Sequence, residues 1–133
     1  MPDPIPRQRI ILNAAAGSVD DAAGLERRLR GLPATEVVRT RAAGDAARSA
    51  REAVEAGMAR VVAAGGDGTL HEVVQGLAPA FDRVQLGLLP LGTGNDFARF
   101  VGIPTDLEAA LAILARGEER EVDVIRLDAA EEA

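Results

Sequence analysis

Two short stretches of this chain carry residue types that could do chemistry, Gly65-Gly66-Asp67-Gly68-Thr69 and Gly92-Thr93-Gly94-Asn95-Asp96. Glycine is needed where backbone must approach a ligand with no Cβ in the way, or turn through positive φ. Each stretch follows an apolar run, Val61-Val62-Ala63-Ala64 before the first and Leu86-Gly87-Leu88-Leu89-Pro90-Leu91 before the second. Both read as a buried strand ending in a tight turn that opens a helix. Two such turns at the carboxyl edge of one sheet would aim unpaired helix N–H groups at whatever lies above, which makes an oxyanion cradle. Asp67 is the unusual member, because a bare carboxylate beside phosphate oxygens is repelled unless a divalent cation or a proton lies between them. The pattern points to a nucleotide with Mg²⁺ rather than to a simple anion.

The elements that must position these turns follow from the rest of the pattern. Arg9 to Asn13 is a short apolar strand, and Ser18 with Asp21 offers a capping-box start to a helix whose stripe is Leu25, Leu29 and Leu32. Thr35 to Thr40 is a second strand, and Gly44-Asp45 opens a helix with Ala46, Ala50, Ala53 and Gly57 on one face, small enough to lie close against a sheet. The first glycine turn leads into a helix from about Thr69 to Leu77, stopped by Ala78-Pro79. The second leads into a short helix around Phe97 to Val101. Thr105 and Glu108 suggest a further capping box, for a helix with Leu107, Leu111 and Leu114 on one face and Gly117 at its end.

Strands alternating with helices over short connections imply a parallel sheet covered on both faces, a three-layer α/β/α fold. Its strands should end near Asn13, Thr40, Ala64 and Leu91. The segment Arg120 to Leu127 alternates polar and apolar residues like a half-exposed antiparallel strand, then gives way to an acidic tail. The expected division is therefore a nucleotide-binding α/β domain over residues 1–118, followed at 119–133 by the first strand of a β-rich second domain.

Composition narrows the function classes. A formal charge of −6 argues against a nucleic-acid partner, and three Phe with no Trp or Tyr leave little for base stacking. The absence of Cys removes thiolate metal sites and Cys nucleophiles and fits a cytoplasmic setting. No apolar run reaches transmembrane length. A dinucleotide fingerprint fails for want of the third glycine and the later acid, and a P-loop fails for want of a Lys in or after either turn. Simpler roles exist for several residues: Thr69 with Glu72 matches a capping box, Asn95 or Asp96 an N-cap, Asp67 a turn, and the lone His71 a solvent-exposed position on a first helical turn.

Gly65-Gly66-Asp67-Gly68-Thr69 with Glu72, together with Pro90-Leu91-Gly92-Thr93-Gly94-Asn95-Asp96-Phe97-Ala98, resembles the two signatures of the diacylglycerol kinase catalytic domain, the family of bacterial YegS-like lipid kinases and sphingosine kinases. Thr40 before Gly44-Asp45-Ala46-Ala47, and Val101-Gly102-Ile103-Pro104, are similar to its bacterial branch. The resemblance runs from about Ile10 to Leu127. Ala14 departs from the usual Pro and Gln75 from the usual Asn. It implies the NAD kinase/diacylglycerol kinase-like fold and a kinase that moves the γ-phosphoryl of ATP to a lipid hydroxyl, with ATP and Mg²⁺ as cofactors.

On that resemblance Asp67 is the candidate catalytic residue. The candidate nucleotide-binding set is Asn13, Thr40, Gly65, Gly66, Asp67, Gly68, Thr69, Leu70, His71, Glu72, Gly92, Thr93, Asn95 and Asp96. Metal ligands are left unassigned. The implied partners are a nucleotide and a lipid such as diacylglycerol or phosphatidylglycerol, with room for peripheral membrane contact and a homodimer. The resemblance also places the catalytic base, metal-contacting acids and much of the lipid pocket in the second domain, so this chain by itself is expected to turn lipid over at no more than background. The alternatives are an NAD kinase-like enzyme, which shares the first turn, and a non-catalytic nucleotide-binding module.

Overall fold

The computed structural model describes residues 6–16, 19–117 and 121–122. Four strands, β1 (Gln8–Leu12), β2 (Thr35–Arg39), β3 (Arg60–Gly65) and β4 (Gln85–Pro90), form one all-parallel sheet in the order β2-β1-β3-β4. Between and after them run α1 (Ala22–Arg30), α2 (Asp45–Glu55), α3 (Asp67–Leu77), α4 (Asp96–Val101) and α5 (Leu107–Arg116).

The period-2 geometry of a strand divides its apolar residues between two cores. Ile11, Val61, Ala63 and Leu88 pack on one face with Ala46, Ala50, Val73, Leu77 and Ala98 from α2, α3 and α4. Ile10, Leu12, Val37, Val62, Ala64 and Leu89 pack on the other with Leu29, Ala110 and Leu114 from α1 and α5. This is the expected three-layer arrangement, and the strands end within a residue of the expected positions.

Small residues set how closely the layers approach. A Cβ on Gly76 of α3 would lie 2.2 Å from the Ala47 carbonyl oxygen of α2, so the small face of α2 meets a helix as well as the sheet. Gly57 is not part of that face. It sits beyond the helix end at φ 78°, exposed, where a left-handed residue closes the helix.

The caps of α5 and α1 differ from expectation. The cap of α5 is Asp106, whose Oδ2 accepts from Ala109 N at 2.9 Å, rather than Thr105. Glu108 is thereby free to pair with Arg28 of α1, which holds its carboxyl below the ordinary range. For α1, Asp21 itself is the cap, accepting from Gly24 N at 2.9 Å, while Ser18 lies outside the described residues. Of the expected strand at Arg120 to Leu127 only Glu121 and Val122 are described, both exposed, and the rest of it and the acidic tail lie outside.

Candidate functional site

The parallel sheet brings four strand ends to one edge. Backbone bonds carry the ladder past the strands: Thr40 N donates to Leu12 O at 2.9 Å, Asn13 N to Ala64 O at 2.9 Å and Leu91 N to Gly65 O at 2.9 Å. Both glycine turns therefore stand side by side on this edge.

The turns touch through their backbones. A Cβ on Gly92 would lie 2.6 Å from Gly66 Cα, so glycine is what permits the contact. Gly66 is extended and Asp67 already belongs to α3, whose first intrahelical bond runs from Leu70 N to Gly66 O at 3.1 Å. The amides of Asp67, Gly68 and Thr69 precede that bond and are the unpaired donors every helix start leaves.

The capping-box reading of Thr69 and Glu72 is corrected here, because the helix starts two residues earlier than expected. Thr69, 6% exposed, accepts at Oγ1 from Asn13 Nδ2 at 3.3 Å. The Glu72 carboxylate reaches across to Gly44 N at 2.7 Å. Asp67 is not a mere turn tip either. Its Oδ2 accepts from Asp96 N at 3.0 Å and its Oδ1 from Phe97 N at 3.4 Å, so the acid of the first turn covers the start of the helix that follows the second.

Asn95 is spent inside its own turn. It is 6% exposed at φ 52°, its Oδ1 accepts from Gly92 N at 3.1 Å and its Nδ2 donates to Gly92 O at 2.6 Å. Asn tolerates left-handed backbone better than most residues and here locks the loop shape. Asp96 is the first residue of α4 and offers its amide to Asp67 rather than acting as the cap.

Above the turns lies an open cleft of about 350 Å³ lined by Asn13, Ala16, Gly66, Asp67, Gly68, Thr69, Gly92, Thr93 and Gly94. Among these lining residues there is no Lys or Arg, and Asp67 is the one acid. An anion would be held by amides and the α3 N-terminus, with a cation needed to reconcile it with Asp67.

Of the expected nucleotide residues, Asn13, Gly66, Asp67, Gly68, Thr69, Gly92 and Thr93 come together around this cleft. Thr40 stands on the same edge with its hydroxyl turned to Leu12 O at 3.4 Å. Gly65 is buried beneath Thr69, Leu70 packs into the core and His71 is exposed. Glu72 and Asn95 bond loop backbone, and Asp96 gives its own amide to the Asp67 carboxylate. Ala16 and Gly94 line the cleft without having been singled out. Gly94 carried a signal, being a glycine inside the second turn, whereas nothing in the sequence marks Ala16.

The model of the diacylglycerol kinase catalytic domain matches residues 7–127. The chain is 39% identical over 129 residues to a protein of Stenotrophomonas maltophilia named "Probable lipid kinase YegS-like", covering 93% of this chain and 42% of that one. It is 48% identical over 86 residues to the diacylglycerol kinase of Bacillus subtilis, covering 64% of this chain and 28% of the relative. Among solved structures, a diacylglycerol kinase from Bacillus anthracis superimposes with a TM-score of 0.75 at 28% identity, covering 85% of this chain and 40% of the other. The chain thus belongs to the diacylglycerol kinase catalytic domain family. That membership sets aside the NAD kinase-like alternative. The matched stretches amount to between 24% and 42% of the curated relatives' own length.

Proposed function

We propose that this chain is the ATP-binding part of a lipid kinase, which moves the γ-phosphoryl of ATP to the hydroxyl of a lipid such as diacylglycerol or phosphatidylglycerol. The observation that carries the reading is the pair of glycine turns in backbone contact at one sheet edge, with the first-turn amides of α3 opening on the cleft.

Phosphoryl transfer needs little covalent help from protein. Positioning and neutralisation of charge on the phosphate oxygens account for most of it. The amides of Asp67, Gly68 and Thr69 supply fixed donors, and Thr93 and Gly94 close the cleft from the second turn. The donor set fits Mg²⁺ in one respect. Such ions keep much of their water and phosphate ligation and take one or two protein carboxylates, and Asp67 is the carboxylate at the cleft. When bound, Mg²⁺ would neutralise phosphate charge that Asp67 would otherwise repel.

Asp67, which holds the start of α4, would then also be the residue that takes part in holding Mg²⁺. Phe100, 84% exposed on α4 just after the second turn, is the side chain best placed for peripheral contact with a lipid surface. Among the described residues no helix is long and apolar enough to cross a membrane. A cytoplasmic setting completes the reading.

Calorimetric titration with ATP, with and without Mg²⁺, tests it. Saturable uptake that requires Mg²⁺ is expected, and no uptake of either form would overturn it. Labelled ATP offered with mixed lipid micelles adds the transfer step. Background turnover is the outcome expected for this chain by itself, and robust Mg²⁺-dependent turnover would mean that the groups present here suffice.

A further inference from the structure

We propose that the Asp67 carboxylate makes α4 responsive to the cleft, so that a divalent cation seated there with a phosphate group loosens the start of this helix. This rests on the nucleotide reading above, and concerns what filling the cleft does to the protein.

Few groups hold α4 in place. It is six residues long, well below the length at which a helix stands in water by its own hydrogen bonds. Ala98 is its one buried residue, and Phe97 and Ile103 are partly buried against the core beside α2 and α3. Its C-terminal end is closed by Ile103 N, which donates to Ala98 O at 2.8 Å, with Gly102 at φ 82°. Its N-terminal end receives no side-chain cap from Asn95, because both polar groups of that side chain are bonded to Gly92 backbone. The amides of Asp96 and Phe97 are left to Asp67, at 3.0 and 3.4 Å.

That acceptor is also the one acid among the residues lining the cleft. A carboxylate strengthens bonds from helix-start amides through its charge, which faces the positive end of the helix dipole. A divalent cation brought against the same carboxylate opposes that charge and sets its own beside the amide hydrogens. The two demands are therefore linked, and linkage is reciprocal: whatever tightens the bonds from α4 to Asp67 weakens the hold on the cation.

The outward face of α4 gives this linkage a consequence. Asp96, Arg99 and Phe100 lie on it at helical spacing, all three exposed, and Phe100 at 84% is the most exposed large apolar side chain among the described residues. Filling of the cleft is thereby passed to a side chain that does not line it.

Hydrogen exchange of the Asp96 and Phe97 amides is followed on the parent chain without ligand, with ATP alone and with saturating Mg·ATP, saturation being checked by calorimetry. The same is done on Asp67→Asn, which keeps a side-chain oxygen but no charge. The Ala109 amide, bonded to Asp106 at the start of α5, is the reference. 4-Fluorophenylalanine in place of Phe reports on Phe100, with Phe81 in the connection before β4 as its control.

Mg·ATP is expected to speed exchange at Asp96 and Phe97 by roughly tenfold while Ala109 stays within about twofold. The Phe100 fluorine shift should move with Mg·ATP and that of Phe81 should not. Asp67→Asn, brought to saturation at higher Mg·ATP, is expected to show no acceleration. A ligand that merely covered the cleft would slow these amides, so slower or unchanged exchange in the saturated parent chain would overturn the proposal. Equal acceleration by ATP without Mg²⁺ would overturn it too, as would an Asp67→Asn response equal to the parent's. The parent-chain measurements need no variant and decide the matter even if Asp67→Asn does not fold. Failure of calorimetry to detect Mg·ATP uptake by the parent chain would overturn the nucleotide reading itself, whereas unchanged exchange in a saturated chain overturns this linkage alone.

Discussion

The two edges of the sheet carry clefts of nearly the same volume, about 350 Å³ at the carboxyl ends of the strands and about 340 Å³ at the amino ends. Size does not separate them, but the state of their polar groups does. At the amino edge Arg60, 6% exposed, donates from Nε to Gln8 Oε1 at 2.8 Å and from Nη1 to Leu114 O at 3.0 Å. Gln8 Nε2 donates onward to Thr35 Oγ1 at 2.8 Å, and Thr35 donates to Pro33 O at 2.8 Å. Every member has a protein partner, and burial alone pushes the Arg60 guanidinium below its ordinary value. At the carboxyl edge the Asp67, Glu72 and Asn95 side chains are paired with backbone while the first amides of α3 border the cleft. A closed network fastens α5 to the sheet, whereas an open row of donors waits for something that accepts.

If that contrast is right, breaking the amino edge should cost the fold and spare the ligand. Arg60→Met would leave Gln8 Oε1 and the Leu114 carbonyl without their donors in the interior, and unfolding in denaturant should show a loss of about 3 kcal/mol. Mg·ATP affinity of the folded chain should be unchanged. A large fall in affinity at preserved stability would reverse the assignment of the two edges.

Gly92→Ala strikes the opposite edge. Its methyl would meet Gly66 backbone, which cannot swing away as a flexible side chain could, so the turns must part. The expected cost is about 2 kcal/mol, in the range of overpacking elsewhere. Here affinity should fall with stability, by more than about tenfold, because the cleft is built from that contact. Wild-type affinity in a folded Gly92→Ala chain would mean that the second turn is not part of the site.

How much of this could be read beforehand depends on which residues speak locally. The strand ends, the layers and the adjacency of the two turns follow from apolar runs and glycine positions, which act over a few residues. The partners of Glu72 and Asp67 do not, since Gly44 lies 28 residues from Glu72 and Asp96 lies 29 from Asp67. Thr69 and Glu72 fit a capping box by spacing, but tertiary packing started α3 earlier and turned both side chains to distant elements. Arg60, at the start of an apolar strand, gave no hint that it would be buried.

Asp67→Ala sharpens the comparison further, because this residue does structural and binding work at once. Loss of the acceptor for Asp96 N and Phe97 N should cost about 1 kcal/mol, as removal of a helix-start acceptor does elsewhere. Asp67→Asn keeps a side-chain oxygen but no charge, so it should recover most of the stability while Mg·ATP remains roughly tenfold weaker. If the Asn variant recovers affinity as well, Asp67 serves the loop and not the cation.

The smallest effect concerns pH and the loop between β2 and α2. The bonds from Arg41 N, then Ala42 N, then Arg48 hold the Asp45 carboxyl below its ordinary value of 3.8. A group whose folded pKa is depressed adds stability above its unfolded pKa and loses it as pH falls through the folded one. The Asp45 contribution is therefore complete at neutral pH and is lost only below 3.8. The Glu108 carboxyl, lowered from 4.5 chiefly by the Arg28 hydrogen bond, titrates with the same sign on the far side of the sheet. The amide proton shifts of Arg41 and Ala42 should move together during an acid titration, with a midpoint below 3.8, while the amides around Arg60 stay still until the whole chain unfolds. A midpoint at or above 3.8 would mean that the carboxylate does not hold the loop in solution. Early movement around Arg60 would mean that the two edges are less independent than their hydrogen bonding implies.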